Sequence, residues 1–351
     1  RVGIVDRRAV ENVFYQLIEE LPINQATTAN NYNVTGLLMT SEIGSISRLT
    51  IVERKLKIFD RIIIENHYSA ELVTRIQDFK EELENQEIVQ LSDERWDSCF
   101  WNYELKKYPG TTWLEIPWLL AEAYFYRRIL DITGYFSPGK NFLVDPFQFQ
   151  KQNQIEGDIQ KLESEWGNFP TDNSFATFSY LLRACLWGNR ADLSNITVRL
   201  ADQKDIAGSE EDHNILVDHT RNIFQIIEKS TKRIDFINDN VGRELVFDLV
   251  LAHFLLKNDL TQKIVMHLKA TPFFVSDAMI KDARFTIEKL KGSQVSELQK
   301  IGSVLMTWLD QGKLILKASP FWSTYLMYDR LPIFIEEDIR QSDLIFIKGD
   351  A

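Results

Sequence analysis

A chain of 351 residues with 44% apolar side chains has material for one large core or two ordinary ones. Its formal net charge of -11 argues against a nucleic-acid surface, which needs a basic stripe against the phosphates, and no apolar run reaches the roughly 18 to 20 residues of a membrane span. Cys99 and Cys185 are too few for a disulfide framework and lack metal-ligand spacing, so the expected setting is reducing and cytoplasmic, without membrane or nucleic-acid partners.

Residues 1–35 read as an extension and linker, with a helical patch over 10–21 and a polar stretch over 25–33. Residues 36–229 read as a mainly helical domain. Apolar side chains recur at spacings of three and four over 53–66 (Leu56, Phe59, Ile62, Ile63) and over 70–85 (Leu72, Ile76, Phe79, Leu83), the second preceded by the capping residue Ser69. Residues 96–108 are aromatic and read as irregular. Pro117 suits the first turn of a helix running through Tyr124 and Tyr126 to Leu130, in which Glu122 and Tyr126 share a face and Arg127 and Arg128 would complement the helix dipole. Further helices are predicted over 154–166, 174–187 and 214–230. Gly188 and Asp192 suggest a helix stop and a turn, from which Asn189 could reach a ligand or serve the turn itself. Residues 201–212 read as a solvated loop, and nothing before residue 230 reads as a sheet.

From 230 to 351 the character changes to strand and helix in alternation. Ile234-Asp235-Phe236-Ile237 is a short β-branched run that stops at Asn238-Asp239-Asn240; Gly242 then permits a tight turn into a helix with Leu245, Val246, Leu249, Val250 and Phe254 on one face. Three later runs, 263–268, 313–317 and 343–347, have strand character and polar ends. If the four lie parallel with helical crossovers, Asp239, Asn240, Asp277, Lys348 and Asp350 converge on one solvent-facing rim at the carboxyl edge of the sheet, where open α/β sheets bind their ligands. Asp239 and Asn240 also suit an ordinary turn.

Two carboxylates and one amide are hard oxygen donors matched to Mg²⁺ or Mn²⁺, and Lys348 would place a positive charge against phosphoryl oxygens. Glu244, one helical turn beyond Asp239, would reach the same rim and could hold a sugar hydroxyl. No glycine-rich phosphate loop is present, and the five histidines form no pair at ligand spacing, so neither ATP chemistry nor a zinc or histidine-triad site is expected.

The run Asp239-Asn240-Val241-Gly242-Arg243-Glu244-Leu245-Val246-Phe247-Asp248-Leu249 resembles the signature of the metal-dependent damage-control phosphatases, formerly a domain of unknown function. Residues 118–128 (WLLAEAYFYRR), 186–194 (LWGNRADLS), Phe274-Val275-Ser276-Asp277 and Lys348-Gly349-Asp350 resemble the branch also named acidic-residue or protein-glutamate methyltransferase. The resemblance begins near Leu37, takes in Gly44-Ser45 and residues 49–54, and runs to the last residue. It implies a helical N-terminal part followed by a three-layer α/β/α sandwich with a mainly parallel sheet. It also implies a divalent metal (Mn²⁺ or Mg²⁺, with Co²⁺ or Ni²⁺ as alternatives) on Asp239, Asn240 and Asp277, with Asp239 and Asp277 catalytic. Substrate contacts would come from Glu244, Asp277, Lys348 and Asp350. The implied activity is hydrolysis of a small phosphorylated metabolite of the fructose 1-phosphate type, with methyl transfer from S-adenosylmethionine to a protein carboxylate as the alternative. Ser45-Ile46-Ser47-Arg48 and Lys55-Leu56 depart from the usual opening. The family pattern continues beyond Lys-Gly-Asp with Asn-Tyr-Arg and, later, Arg-Thr-x-Lys, so a longer protein is expected, and a true end at Ala351 would favour a non-catalytic binding protein.

Overall fold

The computed structural model describes residues 37–92, 95, 97–169, 174–187 and 215–349. The expected helix over 10–21, the linker over 25–33, the turn at Gly188 and Asp192 and the loop over 201–212 lie outside them. The chain forms two compact units.

The first takes in the chain up to Phe149 together with 271–274 and 320–332. A short helical turn, Ile46–Leu49, capped by the Ser45 hydroxyl, passes through a π-helical stretch, Thr50–Arg54, into α1 (Lys55–Asn66). Helix α2 (Ala70–Asn85) starts where the expected cap sits, with the Leu72 N–H donating to Ser69 Oγ at 3.3 Å. The stretch read as irregular contains helix α3 (Ser98–Leu105), because Phe100, Trp101 and Leu105 are buried and packing decides where periodicity is weak. Helix α4 (Trp118–Thr133) is capped by Pro117 and ends at Gly134, whose φ of 77° suits a residue without Cβ. It is buried from Leu120 through Leu130 and packs against rings of its neighbours: Phe125 meets Phe59 at 5.3 Å and Phe79 at 5.7 Å between centroids.

Arg127 and Arg128 were expected to answer the helix dipole; they instead enter buried pairs. Arg127 grips Asp97, with Nη2 2.9 Å from Oδ1, and Arg128 binds Glu82 at 2.8 Å and Asp131 at 2.9 Å. Glu122 and Tyr126 do share a face, and both meet the fully buried Lys55 ammonium, which also lies 4.8 Å from the Phe125 ring centre.

The second unit begins at residue 150, well before the boundary expected near 230, and takes in 150–270, 275–319 and the chain from 333. The reason is packing. Helices α5 (Gln148–Glu165) and α6 (Phe175–Trp187) contribute Ile155, Ile159, Leu162, Phe178, Leu181 and Leu182 to the same apolar cluster as the strands. Helix α7 (Thr220–Ile227) is shorter than expected. Then come β1 (Ile234–Ile237), α8 (Arg243–Lys257), β2 (Ile264–Lys269), α9 (Ile280–Lys291), α10 (Ser296–Asp310), β3 (Leu314–Ser319), α11 (Ile333–Ile339) and β4 (Leu344–Ile347). The four strands are parallel in the order β3-β2-β1-β4, so the described fold is mixed α/β with a small parallel sheet, as expected.

Register assigns each strand two faces. Ile234 and Phe236 pair with Ile264 and Met266, and all four join the apolar cluster with α8, α9 and α10. The opposite face is mixed: Asp235 and His267 lie on it with Ile237, Val265 and Ile345, His267 Nε2 is 2.8 Å from Asp235 Oδ2, and Asp338 of α11 accepts from Arg233 at 3.0 Å and from Lys317 at 2.7 Å. Helix α8 departs from the amphipathic reading. Between Arg243 and Leu256 every residue except His253 is buried, Glu244 and Asp248 included, so its polar side chains find partners in the interior.

Candidate active site

A parallel sheet in the order β3-β2-β1-β4 has one place where consecutive connections leave in opposite directions, between β1 and β4. The crevice beyond the carboxyl ends of those two strands is where such sheets take ligands. Ile237 and Ile347 are paired at the end of the two strands, and the Lys348 N–H donates to the Ile237 carbonyl at 3.0 Å. Asp239 follows from β1. Gly349 follows from β4, and a Cβ built on it would stand 3.3 Å from the Asp239 carboxylate, so the two strand ends face each other across a few ångströms. At φ 102° this position also disfavours any side chain.

The loop after β2 closes the third side. Asn240 and Asp277 form an isolated antiparallel bridge, the Ala278 N–H donates to the Asp239 carbonyl at 2.7 Å, and the Val241 N–H donates to the Ser276 carbonyl at 2.7 Å. Ser276 Oγ donates to Asn240 Oδ1 at 2.6 Å, and Asn240 Nδ2 donates to Asp239 Oδ2 at 2.7 Å. Asp239, Asn240 and Asp277 are therefore brought together as expected, but not on a solvent-facing rim. Asn240 and Asp277 are 6% and 2% exposed, and Asp239 alone of the three is partly open.

Electrostatics at this point are frustrated. Burial, with the Asp239 charge behind it, pushes the Asp277 carboxyl up to about 7, against the pull of Lys269, whose ammonium lies 3.1 Å from Asp277 Oδ2. Among the described residues no three His, Cys, Asp or Glu side chains gather at metal-ligand spacing. Two carboxylates and an amide are the donor types that a hard divalent cation takes, and the Asn240 amide here turns its nitrogen to Asp239 and its oxygen to Ser276.

Behind it lies a second cluster. The Lys348 ammonium donates to the Cys185 carbonyl at 2.7 Å and to Asp248 Oδ1 at 3.3 Å, and stands 3.2 Å from Glu244 Oε1. Asn238 Nδ2 donates to the other Asp248 oxygen at 2.8 Å. Burial pushes the Glu244 carboxyl up against the pull of the Lys348 ammonium, with the Asp248 and Asp239 charges adding to the rise. Burial works against the Lys348 charge, yet Asp248 and Glu244 hold its pKa above the ordinary lysine value. Lys348 thus points inward rather than toward an approaching phosphate, and Glu244, 1% exposed, is part of the floor. Asn189 and Asp350, the remaining candidates, lie outside the described residues.

Sequence reasoning missed Lys269, Asp248, Ser276 and Lys151. Lys269 was legible as the polar end of β2. Asp248 stood inside the signature run but four residues past Glu244, on a helix read as amphipathic. Lys151 gave no signal, since only the tertiary fold brings it within reach of Asp277.

The helix after β1 starts at Gly242 with φ 77°. A Cβ there would stand 2.5 Å from Gln154 Nε2 and 2.6 Å from Asp158 Oδ2, and that same Asp158 oxygen accepts from the Arg243 N–H at 2.7 Å. The α8 N-terminus is therefore already capped by a carboxylate from α5.

The profile of the damage-control phosphatase ARMT1-like domain matches residues 49–351. Curated proteins named damage-control phosphatase ARMT1 align with the chain: that of Rattus norvegicus is 27% identical over 89% of this chain and 82% of its own length, that of Xenopus laevis 29% over 89% and 82%, and that of Homo sapiens 26% over 90% and 82%. A solved DUF89 family protein from Pyrococcus horikoshii superposes with a TM-score of 0.43 at 15% identity, covering 84% of this chain and 81% of that one. With most of its length matched by that profile, the chain belongs to the damage-control phosphatase ARMT1-like family.

Proposed function

We propose that the chain hydrolyses the phosphate ester of a small phosphorylated metabolite, a sugar phosphate of the fructose 1-phosphate type, with Mn²⁺ or Mg²⁺ held by Asp239, Asn240 and Asp277. The observation that carries this reading is that, at the β1–β4 crevice, Asn240 hydrogen-bonds the Asp239 carboxylate and is bridged through the main chain to Asp277. A divalent cation bound there would neutralise phosphoryl oxygens and orient the attacking group. The chain's own residues do the rest. Asn240, fixed by Ser276, keeps the two carboxylates in register, and Lys269 supplies the ammonium nearest to them, the role first expected of Lys348. Glu244 and Lys348 form the closed floor beneath the three side chains. Hydrolysis breaks the phosphorus–oxygen ester bond, with water supplying the new oxygen to phosphate and a proton to the departing alcohol.

The test is phosphate release from fructose 1-phosphate with Mn²⁺, with and without chelator. Release abolished by chelator and restored by metal is expected. Release indifferent to chelator would overturn the metal assignment, and absent release beside measurable methyl transfer from S-adenosylmethionine would favour the alternative activity.

A further inference from the structure

The loop carrying Asp277 has more holding it than a turn needs. Phe274 and Val275 precede it with φ of 41° and 68°, a left-handed pair in which the β-branched Val275 is 2% exposed and strained. Such strain persists only where surrounding contacts over-determine the chain. One of those contacts is a lysine that no hydrogen-bonding pattern in the sequence singles out. Lys151 on α5 is fully buried, and its ammonium donates to the Asp277 main-chain carbonyl at 2.7 Å and to Asp282 Oδ2 at 3.2 Å. Asp282 Oδ2 in turn accepts from the Met279 N–H at 3.0 Å, closing the first turn of α9. Desolvating an ammonium is unfavourable, and the carboxylate and carbonyl aimed at it offset that cost.

We propose that Lys151 is a positioning residue of the candidate active site. It pins the main chain of Asp277 to the start of α9, so that the Asp277 carboxylate stays against Asp239 and Asn240 although the two acids repel each other. Without the tie, the loop relaxes its left-handed pair and the carboxylate swings outward, away from Asp239. The proposal rests on the phosphatase reading for its kinetic consequence, and on the loop geometry alone for its structural one.

The experiment compares wild type with Lys151→Met, Asp282→Asn and the double variant in the full chain. Lys151→Met strands the buried Asp282 carboxylate and should lower both Tm and turnover; the double variant removes that stranded charge. Its Tm should recover while kcat for phosphate release stays at least about tenfold down with KM within about threefold, and amide exchange at Ala278 should rise with β1 unchanged. Asp282→Asn alone leaves Lys151 its bond to the Asp277 carbonyl but loosens the α9 end of the tie, so it should lower kcat by less than Lys151→Met does. Recovery of kcat along with Tm in the double variant, unchanged exchange at Ala278, or a kcat loss in Asp282→Asn equal to that in Lys151→Met would each overturn the proposal. A wild-type chain that releases no phosphate would sink the phosphatase reading, and the exchange measurement would still decide the role of Lys151.

Discussion

Charge is buried in both units of this molecule, and it is buried in two ways. Among the described residues of the helical unit each buried base meets its acid: Lys55 meets Glu122, Arg127 meets Asp97, and Arg128 meets Glu82 and Asp131. At the end of the sheet, Asp239, Glu244, Asp248 and Asp277 share Lys269 and Lys348, and two of those acids are pushed up toward neutral pH. Matched pairs serve a fold, whereas a surplus of one sign held at a strand end by other forces is what a cation and an anionic substrate can use.

Breaking a matched pair should give the largest effect. Arg127→Met leaves Asp97 buried without its guanidinium and should cost about 3–5 kcal/mol, read as a shift of the denaturant midpoint, with turnover of the surviving folded protein unchanged. Removing one charge from the surplus should do the reverse. Asp239→Asn is expected to lower phosphate release by at least about a hundredfold while the metal-free Tm holds or rises, because the repulsion with Asp277 is relieved. Near-normal release from that variant would show that the ligand assignment is wrong.

A third prediction separates the surplus from ordinary burial. His253 lies on α8 beside Trp308, with ring centres 5.5 Å apart, and burial, helped by Lys257, lowers its pKa to about 4. A lowered histidine is neutral when folded and takes up a proton more readily when unfolded. Its contribution is therefore complete above about pH 6.5 and is lost as pH falls from there toward 4, by up to about 3 kcal/mol. His253→Phe should flatten the acid side of the stability curve across that window in urea titrations; an unchanged slope would assign the acid sensitivity to other groups. The smallest effect belongs to the helical unit: Ser69→Ala removes the hydroxyl that accepts from Leu72 and should cost about 1 kcal/mol in thermal melts.

The signals legible in the sequence were local ones. Strand starts and polar ends placed all four strands within a residue or two, Ser69 announced its helix, and Asp239, Asn240 and Asp277 were expected together and lie together at the strand ends. What escaped was set by tertiary packing. Helix α3 formed under aromatic burial, the boundary moved to residue 150 because α5 and α6 join the sheet's apolar cluster, and Lys348 turned inward because Asp248 and the Cys185 carbonyl wait there. A lysine's direction cannot be read from its own position in the chain; Lys269 and Lys348 both end strands, and only the partners beyond them distinguish their roles.

The bare Gly242 bears on where this site could be cut from one protein and grafted onto another. The signature run looks self-contained, yet its glycine is pressed against Gln154 and Asp158, and its helix begins on the Asp158 carboxylate. A recombinant exchange or gene fusion joined near residue 230 would carry the strand, the turn and the acids while leaving their buttress behind. A graft of the signature run therefore has to reach back at least to α5 to bring that buttress with it.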